Sequence, residues 1–301
     1  MALLTSATVL ALQTTFSTQY RSGYADSPEY SSRFTTTIPS TVRTNTYGWM
    51  ARLPSMRQWV GPRTIQNLTN HDYTLENLPF ELTIGVDRDD IEDDNLGTYS
   101  PMFSELGRAA KKLPDQRVRT ALQAGTANLC FDGVAMFATT HPLDPAGNQS
   151  NLFAATALTA ANYASTRQSM MAYTGEDGEP LGVMPNLLIV PPQLEDEALT
   201  ILNSQIILDG TATAGVTNVY RNSAQLLVVP ELANQPTVWY LADTSRPIQG
   251  MIWQNRKSPQ LVSMASPDDP NVFNDKQLLW GVDGRGAAGY GLWFLLARAI
   301  A

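Results

Sequence analysis

The longest helical pattern in the chain begins at Ser100-Pro101, where a serine that can cap a helix precedes a proline suited to the first helical position. Apolar residues then recur at helical spacing, forming one stripe: Met102, Phe103, Leu106, Ala109, Ala110 and Leu113. We expect Pro114 to kink this helix and Gly125 to end it. The pattern predicts a bent amphipathic helix of about 25 residues, longer than most globular helices.

Further along, strand patterns alternate with helical ones. A helix is predicted from Thr159 to Thr174, and the apolar run from Pro185 to Pro192 predicts a buried strand that leads into a helix over 193–203. Other strands are expected at 225–229, 238–241, 249–253 and 291–299. The glycine-rich run over 281–291 is interpreted as a turn with positive φ angles, and 209–216 as a flexible surface loop.

The N-terminal part of the chain has weaker patterns. Residues 2–20 predict a short helix at best, and 22–46 predict an extended arm. Two runs between Tyr73 and Val86 predict the strands of a long hairpin or extended loop. Trp49 and Trp59 bracket a stretch rich in proline, glycine and arginine, and such large aromatic side chains need a surface against which to bury.

Composition places the chain among globular proteins. Its 301 residues are 43% hydrophobic, which is enough for a packed core in one large domain or two ordinary ones. The net charge of −8 is unevenly distributed, because residues 1–63 hold six arginines against Asp26 and Glu29 and so carry +4, which leaves −12 for the remainder. This asymmetry favours a basic arm that lies on an acidic surface, most simply that of an identical copy.

Two stretches of opposite charge follow one another in the middle of the chain. Within eight residues, one arginine, Arg88, stands among six carboxylates: Asp87, Asp89, Asp90, Glu92, Asp93 and Asp94. The predicted bent helix then carries five basic residues against a single Asp115: Arg108, Lys111, Lys112, Arg117 and Arg119. Like charges this close are tolerable in water or against a basic partner. We therefore expect the two stretches to meet between neighbouring copies, with Trp49 and Trp59 also at inter-subunit contacts.

Motifs of the common enzyme classes are missing from the sequence. It contains no G-x-S-x-G, H-E-x-x-H or G-x-x-x-x-G-K-[ST] pattern, and the spacing of its two histidines, His71 and His141, suggests no catalytic partners. The acidic run lacks the spacing of an EF-hand calcium loop. We therefore expect no catalytic residue, no cofactor and no metal site. A metal-dependent hydrolase that uses Asp87 to Asp94 is the remote alternative.

The cysteine content and the hydropathy of the chain indicate the cellular compartment in which it folds. The single Cys130 excludes an intramolecular disulfide and favours a buried thiol in a reducing compartment. No apolar run approaches the ~20 residues that span a bilayer, and the N-terminus lacks the basic start of a secretory signal, so we expect a soluble cytosolic product. Nucleic-acid binding by the N-terminal arginines is a rival interpretation, but these are spaced singly in an acidic chain.

In its order of short motifs the chain resembles the Mu-like phage major head subunit family, which has the Hong Kong 97 capsid fold. Seven motifs in the same order carry the resemblance: Trp59-Val-Gly-Pro-Arg63; Tyr73 to Phe80-Glu-Leu-Thr83; Val86 to Asp94 with Leu96-Gly-Thr-Tyr99; Phe131-Asp-Gly133 with Phe137 and His141-Pro142; Asn151-Leu152; Leu187 to Pro192; and Trp239-Tyr-Leu-Ala242. Together they span nearly the whole chain.

The resemblance implies an α+β subunit with an N-terminal arm, an extended loop, a long spine helix, a peripheral domain and an axial domain. Carried onto this sequence, the segments are 1–60 for the arm, 61–98 for the extended loop, 99–184 for the peripheral domain with the spine helix, 185–255 for the axial domain and 256–301 for the return of the peripheral domain.

The same resemblance implies a function in assembly. The chain is expected to be the major capsid protein of a tailed double-stranded DNA phage or prophage, forming the hexamers and pentamers of an icosahedral head in the bacterial cytoplasm and remaining in the virion. Its partners would be identical subunits and portal, scaffold or decoration proteins, around DNA bound without sequence specificity. An encapsulin-like compartment, which houses an enzyme instead of a genome, is the nearest alternative.

Overall fold

The computed structural model describes residues 6–50, 70–93, 99–143, 147–175, 178–208 and 215–301. Its α-helices are α1 (Ser6–Asp26), α2 (Arg88–Glu92), α3 (Tyr99–Lys111), α4 (Leu113–Gln123), α5 (Ala160–Met171), α6 (Glu195–Asn203) and α7 (Pro270–Asp275). Its strands are β1 (Thr35–Pro39), β2 (Thr44–Met50), β3 (Asn70–Glu76), β4 (Leu78–Asp87), β5 (His141–Leu143), β6 (Gly147–Gln149), β7 (Leu152–Phe153), β8 (Leu187–Val190), β9 (Ile206–Leu208), β10 (Gly215–Thr217), β11 (Gln225–Val228), β12 (Val238–Ala242), β13 (Met251–Met264), β14 (Gln277–Tyr290) and β15 (Leu296–Ile300). Short 3₁₀ turns occur at Ser31–Arg33, Ala124–Thr126, Pro192–Leu194, Pro230–Leu232 and Trp293–Leu295. This mixture of helices and sheets confirms the predicted α+β class.

Two mixed sheets organise these elements. One has the strand order β1-β13-β14-β4, in which β1 runs parallel to β13 and the other neighbours are antiparallel. The other has the order β11-β8-β12-β15-β7, with parallel pairs at its two edges and antiparallel pairs in its middle. Antiparallel two-stranded ladders join β2 to β3, β5 to β6 and β9 to β10.

The protein has two hydrophobic cores, and the four-stranded sheet contributes to both, with Trp253 and Tyr290 in the larger one. The larger core surrounds the five-stranded sheet, whose central strands β8 and β12 are buried at every position. The smaller core lies between the helices α1 and α3 and the strands β4 and β14. Strands buried on both faces are typical of a sheet covered on both sides, whereas β4 alternates exposed and buried positions towards its end and has one open face.

The smaller core is centred on three aromatic side chains from distant parts of the chain. The ring of Phe16 stacks on Phe103, with centroids 3.9 Å apart and an interplanar angle of 9°. The indole of Trp280 meets both rings edge-on, at 5.1 and 5.6 Å. Stacked and edge-to-face pairs each contribute about 0.5–1.5 kcal/mol beyond the area they bury. These contacts fasten α1 to both α3 and β14.

Two glycines let α1 and α3 approach more closely than side chains would allow. A Cβ atom built on Gly23 would lie 2.0 Å from the carbonyl oxygen of Ser104, and one on Gly107 would lie 2.1 Å from that of Tyr20. Both obstacles are backbone atoms, which cannot rotate away. The absence of a side chain at these two positions therefore sets the distance between the helices.

The predicted bent helix is confirmed. It consists of α3 and α4, which meet at Lys112 with Pro114 in the first turn of the second part. The helix begins one residue before Ser100, so that serine is inside the first turn and is not its N-cap. The strand at 185–192, which becomes β8, and the helix after it are also confirmed.

The predicted helix over 159–174 is confirmed as α5, together with its local start signal. Thr159 is the N-cap, and its hydroxyl accepts a hydrogen bond from the backbone N–H of Asn162 at 3.2 Å. Such a bond satisfies one of the backbone donors that a helix start leaves free. This start was therefore readable from the sequence.

The N-terminal prediction was wrong in extent, because residues 22–26 are helical and not part of an extended arm. The helix α1 has 21 residues and buries one stripe against α3 and the sheet, made of Val9, Leu12, Phe16 and Tyr20. Its many threonines and serines are poor helix formers, which is why the pattern looked weak. Tertiary packing of an apolar face stabilises such a helix more than intrinsic propensity does.

The two strands predicted between Tyr73 and Val86 exist, but they do not form a hairpin with each other. The strand β3 pairs with β2, and β4 pairs with β14 in the four-stranded sheet. Asn77 separates them, and its side-chain amide donates to the hydroxyl of Ser40 and the carbonyl of Val42 at 2.9 and 2.8 Å. The antiparallel partner of β3 is therefore β2, and their ladder pairs residues 44–50 with residues 70–76.

The glycine-rich run over 281–291 was wrongly interpreted as a turn. Residues up to Tyr290 belong to the strand β14, and the described glycines with positive φ lie elsewhere in the chain. These glycines instead leave room for side chains that pack against the strand. A Cβ on Gly286 would lie 2.6 Å from the ring of Trp253, and one on Gly289 would lie 2.5 Å from Leu75. Large side chains from adjacent strands occupy the space, so the strand needs small residues. Most of the run 209–216, predicted as a loop, lies outside the described residues.

Sheet membership crosses two of the boundaries predicted from the sequence. The strand β2 lies in the predicted arm and its partner β3 in the predicted extended loop. The C-terminal strand β15 pairs with β12 of the predicted axial segment, so residues 256–301 are divided between the two sheets. The predicted division of the chain into domains stays a prediction.

The glycine at the helix crossing supports a test of the fold. Replacing Gly107 by alanine should lower the free energy of unfolding of the unassembled subunit by about 1–3 kcal/mol, because the added methyl group forces α3 away from the carbonyl of Tyr20. Urea denaturation followed by tryptophan fluorescence measures this change. The control is Glu105→Ala on the exposed side of α3, which should change stability by less than about 0.5 kcal/mol. Equal effects of the two substitutions would contradict the close crossing.

Candidate assembly interface

The acidic stretch begins as a short helix and not as a loose loop. The side chain of Asp87 caps α2 by accepting a hydrogen bond from the backbone N–H of Asp89 at 2.9 Å. On the inner side of the same helix, Ile91 is 2% exposed and packs into the smaller core. Anchoring by this isoleucine turns the neighbouring carboxylates, Asp89 and Asp93, towards solvent.

Part of the acidic charge is balanced within the chain, which the sequence did not reveal. Arg88 pairs with Glu92 at 2.9 Å across one helical turn, and Lys276 pairs with Asp89 at 3.3 Å. The hydroxyl of Tyr99 donates to Asp90. Both ion pairs are well exposed and so contribute little, about 0–1 kcal/mol each. The expectation that no base balances these carboxylates is therefore corrected, although the surface remains acidic.

The tip of the β13–β14 hairpin enlarges this surface. The backbone N–H of Arg88 donates to the carbonyl of Lys276 at 2.9 Å, which brings α2 beside α7. Asp268 and Asp275 are exposed around α7, and Phe273 on the same helix is 85% exposed. We call these two helices and their carboxylates the acidic end of the subunit. It combines outward negative charge with one large exposed aromatic ring.

The basic helix is divided between internal and outward residues. Lys111 pairs with Glu29 and lies over the ring of Tyr24 at 5.5 Å, and the hydrogen bond to Glu29 raises the pKa of that lysine. The guanidinium of Arg117 lies over the ring of Phe80 at 4.9 Å. Lys111 and Arg117 therefore hold the subunit together. Arg119 is half-buried, and the Nε atom has no hydrogen-bond partner within the described structure.

The remaining basic residues form a second, outward surface. The side chain of Arg108 is 49% exposed and makes only a 3.7 Å contact with Glu105, and Lys112 is half-buried at the join of α3 and α4. Arg21 is exposed on α1, next to Tyr20, whose carbonyl faces Gly107. We call Arg21, Arg108 and Lys112 the basic end of the subunit. Arg108 and Lys112 lie about 14 and 20 Å along the helix axis from Tyr99, where α3 begins next to the acidic end.

The one acid in the basic helix has a structural role. Asp115 is 2% exposed, and its carboxylate accepts the backbone N–H groups of Tyr30 at 3.3 Å and of Ser31 at 2.9 Å. Burial raises the pKa of Asp115, while these hydrogen bonds oppose the rise. The phenol of Tyr30 in turn donates to the carbonyl of Asp115 at 3.3 Å. This exchange fixes the chain that follows α1 to the spine helix.

Three predicted interface residues cannot be placed in full. Trp59 and Asp94 lie outside the described residues, and Trp49 is described only by its position on β2. Among the described residues, no ion pair joins the acidic end to the basic end. Their meeting across a subunit boundary therefore stays a prediction.

One polar cluster was missed by sequence reasoning. His141 is fully buried, and its ring nitrogens lie 2.5 Å from Asp132 Oδ2 and 3.0 Å from Asn151 Oδ1. The spacing of the histidines in the sequence suggested no partners for His141, whereas the fold supplies two. The signal that could have found the cluster is the occurrence of Asp132, His141 and Asn151 in three neighbouring short motifs.

Other kinds of chemistry would depend on a reactive cysteine or on a cluster of metal-ligating side chains. Cys130 is buried as predicted, and burial raises the pKa of that thiol well above the usual range. In the part of the chain that the structure describes, no cluster of three or more histidine, cysteine, aspartate or glutamate side chains could hold a metal ion. Among the same residues, no helix combines the length and the apolar character needed to cross a bilayer.

Comparison with solved structures defines the class of protein first. The chain superposes on the bacteriophage JBD30 procapsid subunit with a TM-score of 0.61 and 33% identity, covering 99% of this chain and 76% of that one. A subunit of the JBD30 capsid gives a TM-score of 0.59 at 28% identity over 76% of this chain and 99% of that one. The mature capsid of phage PhiM1 shares the fold at 11% identity and a TM-score of 0.57. The fold is therefore that of a phage capsid subunit of the Hong Kong 97 type.

Sequence comparison then gives the family. The family described as Mu-like prophage major head subunit gpT matches residues 9–157, 149–232 and 231–300, and the chain belongs to it. The major capsid protein of Escherichia phage Mu is 31% identical over 97% of this chain and 73% of its own length. The FluMu major head subunit of Haemophilus influenzae is 29% identical over 100% of this chain and 75% of its own length. The chain is a major capsid protein of a tailed phage or prophage, and the family predicted from the sequence is confirmed.

The buried Asp115 supports a test of how the arm is fixed. Asp115→Ala should destabilise the unassembled subunit by about 1–3 kcal/mol, because two backbone N–H groups lose their acceptor. Urea denaturation measures the loss, and limited proteolysis should show faster cleavage between residues 26 and 34. The control is Asp72→Ala on the exposed side of β3. Unchanged cleavage in the Asp115 variant would show that other contacts hold this segment.

Proposed function

We propose that this capsid subunit assembles without catalysis into the hexamers and pentamers of an icosahedral head, and that the acidic end of each copy contacts the basic end of the next. The observation that carries the proposal is the placement of the outward carboxylates of the acidic end near the start of α3 and of the basic end towards its finish, where Glu105 is the one exposed acid of the helix. A contact between two different patches is heterologous, and it closes into a ring when the rotation per subunit allows it. Rings of five and six copies need such a head-to-tail contact.

The energetics fit a shell that assembles reversibly before it becomes stable. Each exposed charge pair contributes about 0.2–1 kcal/mol, too little to hold two subunits by itself. A subunit in a closed lattice makes many contacts at once, and their combined strength far exceeds that of any one. Complementary charge at the two ends would guide early encounters and fix the orientation of the copies. Apolar contacts, including Phe273 at 85% exposure, would then exclude water.

The proposed content of the shell is double-stranded DNA held without sequence-specific contacts. The net charge of −8 opposes attraction between the subunit and the phosphate backbone. Packaged DNA could then move inside the head without adhering to its wall. The same net charge argues against a nucleic-acid site at the N-terminal arginines. In addition, Arg33 donates a hydrogen bond to Gln225 and Arg43 forms an ion pair with Glu76, so both side chains already bond within the chain.

We further propose a division of the subunit that follows the family. The arm would be 1–60, the extended loop 61–98, the peripheral domain with its spine helix 99–184 and the axial domain 185–255, with 256–301 returning to the peripheral domain. Two sheet pairings argue for adjusting this scheme. The β2–β3 ladder crosses the boundary at residue 60, and β15 joins the sheet of the proposed axial domain.

Accessory partners are proposed from the proteins that are found on a related capsid. The JBD30 capsid has been solved decorated with minor capsid protein trimers, and the matched subunit is 29% identical to this chain. A decoration protein, a portal and a scaffold are accordingly proposed partners here. Assembly would take place in the cytoplasm of the bacterial host, and the finished subunit would remain in the virion.

Two other functions have weaker support. A virus-like particle from Pyrococcus furiosus shares the fold at a TM-score of 0.53 with 8% identity, and this likeness extends to the fold alone. A hydrolase that uses Asp87 to Asp94 would need carboxylates converging on one ion. Within the described part of this stretch, Asp87 caps a helix, Asp89 pairs with Lys276 and Asp90 accepts from Tyr99.

The primary test is the state of the purified chain and its contents. Negative-stain electron microscopy should show closed shells, rings or curved sheets, because the outward charges and Phe273 need partners. Particles isolated from infected or induced cells should contain nuclease-protected double-stranded DNA. A protein cargo in place of DNA would favour the compartment alternative, and a monodisperse monomer with metal-dependent turnover would favour the hydrolase.

The head-to-tail contact makes a sharper prediction about charge. Asp89→Lys with Asp93→Lys should leave the subunit folded but block assembly, and so should Arg108→Glu with Lys112→Glu. A chain carrying all four substitutions should assemble again, because each reversed acidic end then meets a reversed basic end. Light scattering measures the yield of particles, and circular dichroism confirms folding. Asp90 is left unchanged because it bonds to Tyr99.

This four-substitution chain separates specific pairing from a general charge effect. The net charge of the fourfold variant equals that of the natural chain, so solubility cannot explain a difference between them. Failure of the fourfold chain to assemble, with all variants folded, would contradict the proposed pairing of the two ends. Assembly at normal yield of a chain in which only the acidic end or only the basic end is reversed would also contradict the pairing.

A further inference from the structure

The buried cluster around His141 is not part of the proposed interface and has its own chemistry. Its three polar members come from separate short motifs: Asp132 follows Phe131, His141 precedes Pro142, and Asn151 precedes Leu152. Exposure is 0% for the side chains of both His141 and Asn151, and 8% for that of Asp132. The ring of His141 also stacks on Trp293, with centroids 4.2 Å apart and planes within 6°. Water therefore has little access to these hydrogen bonds.

The orientation of the Asn151 amide is determined by its neighbours. One side of the amide faces three carbonyl oxygens, those of Met136 at 2.7 Å, Leu296 at 3.1 Å and Trp293 at 3.2 Å. Only an NH₂ group can occupy that side, because an oxygen there would face three acceptors. The other side accepts the backbone N–H of Ala138 at 3.0 Å, so it must be the oxygen.

This orientation assigns the first proton of His141. Because Asn151 Oδ1 can only accept, the ring nitrogen Nε2, 3.0 Å away, must carry a hydrogen and donate it. The other nitrogen, Nδ1, lies 2.5 Å from Asp132 Oδ2. If His141 carried its single neutral-form proton on Nε2 and Asp132 were ionised, two lone pairs would face each other at this distance. A second proton must therefore lie between Nδ1 and the carboxyl group.

The position of that second proton follows from the hydrogen bonds at the other atoms of the two groups. The other oxygen of Asp132 accepts the backbone N–H of Val134 at 3.1 Å, which favours the ionised carboxylate. We infer that His141 is a buried imidazolium, donating from Nε2 to Asn151 and from Nδ1 to Asp132, and that this charged form holds the ring and Asn151 in the positions from which they contact the C-terminal segment 293–298.

Other titratable groups near the ring do not alter the balance. The Cys130 thiol is buried, and its pKa is raised by burial and by the charge of Asp132, so it is neutral. The Tyr173 phenol, whose ring packs edge-on to Trp293 at 5.5 Å, has a pKa raised by burial and is also neutral. Arg298 takes part through its backbone N–H, which donates to the carbonyl of Asn151 at 2.8 Å. Among these neighbours, Asp132 provides the charge that faces His141.

The cluster around His141 joins two parts of the chain that meet only in the folded state. The segment 131–151 supplies Asp132, His141 and Asn151, and the segment 293–298 supplies the ring of Trp293 and three backbone groups that bond to Asn151. Loss of the proton on Nδ1 would leave a lone pair against a carboxylate in a dry site. The segment would then have to move or the ring would have to turn, which would sacrifice the bond to Asn151 or the stack on Trp293.

Histidine-selective ¹⁵N NMR tests this assignment, because the chain contains only two histidines and a His71→Gln variant leaves the signals of His141 alone. At pH 7.5 an ordinary histidine with a pKa about 6.5 is about nine-tenths neutral. In the folded protein, both ring nitrogens of His141 should instead show imidazolium shifts. The same chain unfolded in urea should show the ordinary neutral average.

Two variants make the test specific. Asp132→Asn should convert Nδ1 to the shift of an unprotonated ring nitrogen, because the new amide can donate to it. Asp283→Asn, which removes the carboxylate from an exposed ion pair with Lys257, should leave the His141 signals unchanged. An unprotonated Nδ1 in the natural folded chain at pH 7.5 would overturn the inference, and that measurement decides even if Asp132→Asn fails to fold. A His141 spectrum unaffected by Asp132→Asn in a folded variant would overturn it as well.

Discussion

The stack of Phe16 on Phe103, with Trp280 edge-on to both, is the contact on which the geometry of this subunit most depends. It joins the N-terminal helix, the spine helix and a long strand that are far apart in sequence. The glycines at positions 23 and 107 allow the two helices to approach until these rings touch. Without that approach the smaller core would lose its centre, and α1 would have no apolar surface to cover.

The placement of charge follows from this packed frame. The spine helix is held between α1 on one side and the strands β4 and β14 on the other, so its two ends point in fixed directions. Ile91 fixes α2 near the start of α3, and the Lys111–Glu29 pair fixes the end of α1 near its finish. Charges on a rigid frame can be matched between copies, whereas the same charges on a loose loop would be averaged over many orientations.

Much of the fold was predictable where the signal is local. Thr159 as an N-cap, Pro114 at a helix bend and the apolar run of β8 each act on neighbouring residues, and each prediction is confirmed. The glycines of β14 were misread because what they accommodate, such as the ring of Trp253, comes from another strand. Of the candidate interface, the clustered charge was visible in the sequence. The partner of Asp89, Lys276, and those of His141 were not, because only the tertiary fold brings these residues together.

The parallel pairing of β1 with β13 has a consequence for how the subunit is made. Residues 35–39 of β1 pair with residues 251–255 of β13, so β1 stays unpaired in this sheet until most of the polypeptide has left the ribosome. Phe16 likewise meets Trp280 only near the end of synthesis. The four-stranded sheet and the smaller core are therefore completed only when the C-terminal part of the chain has been made.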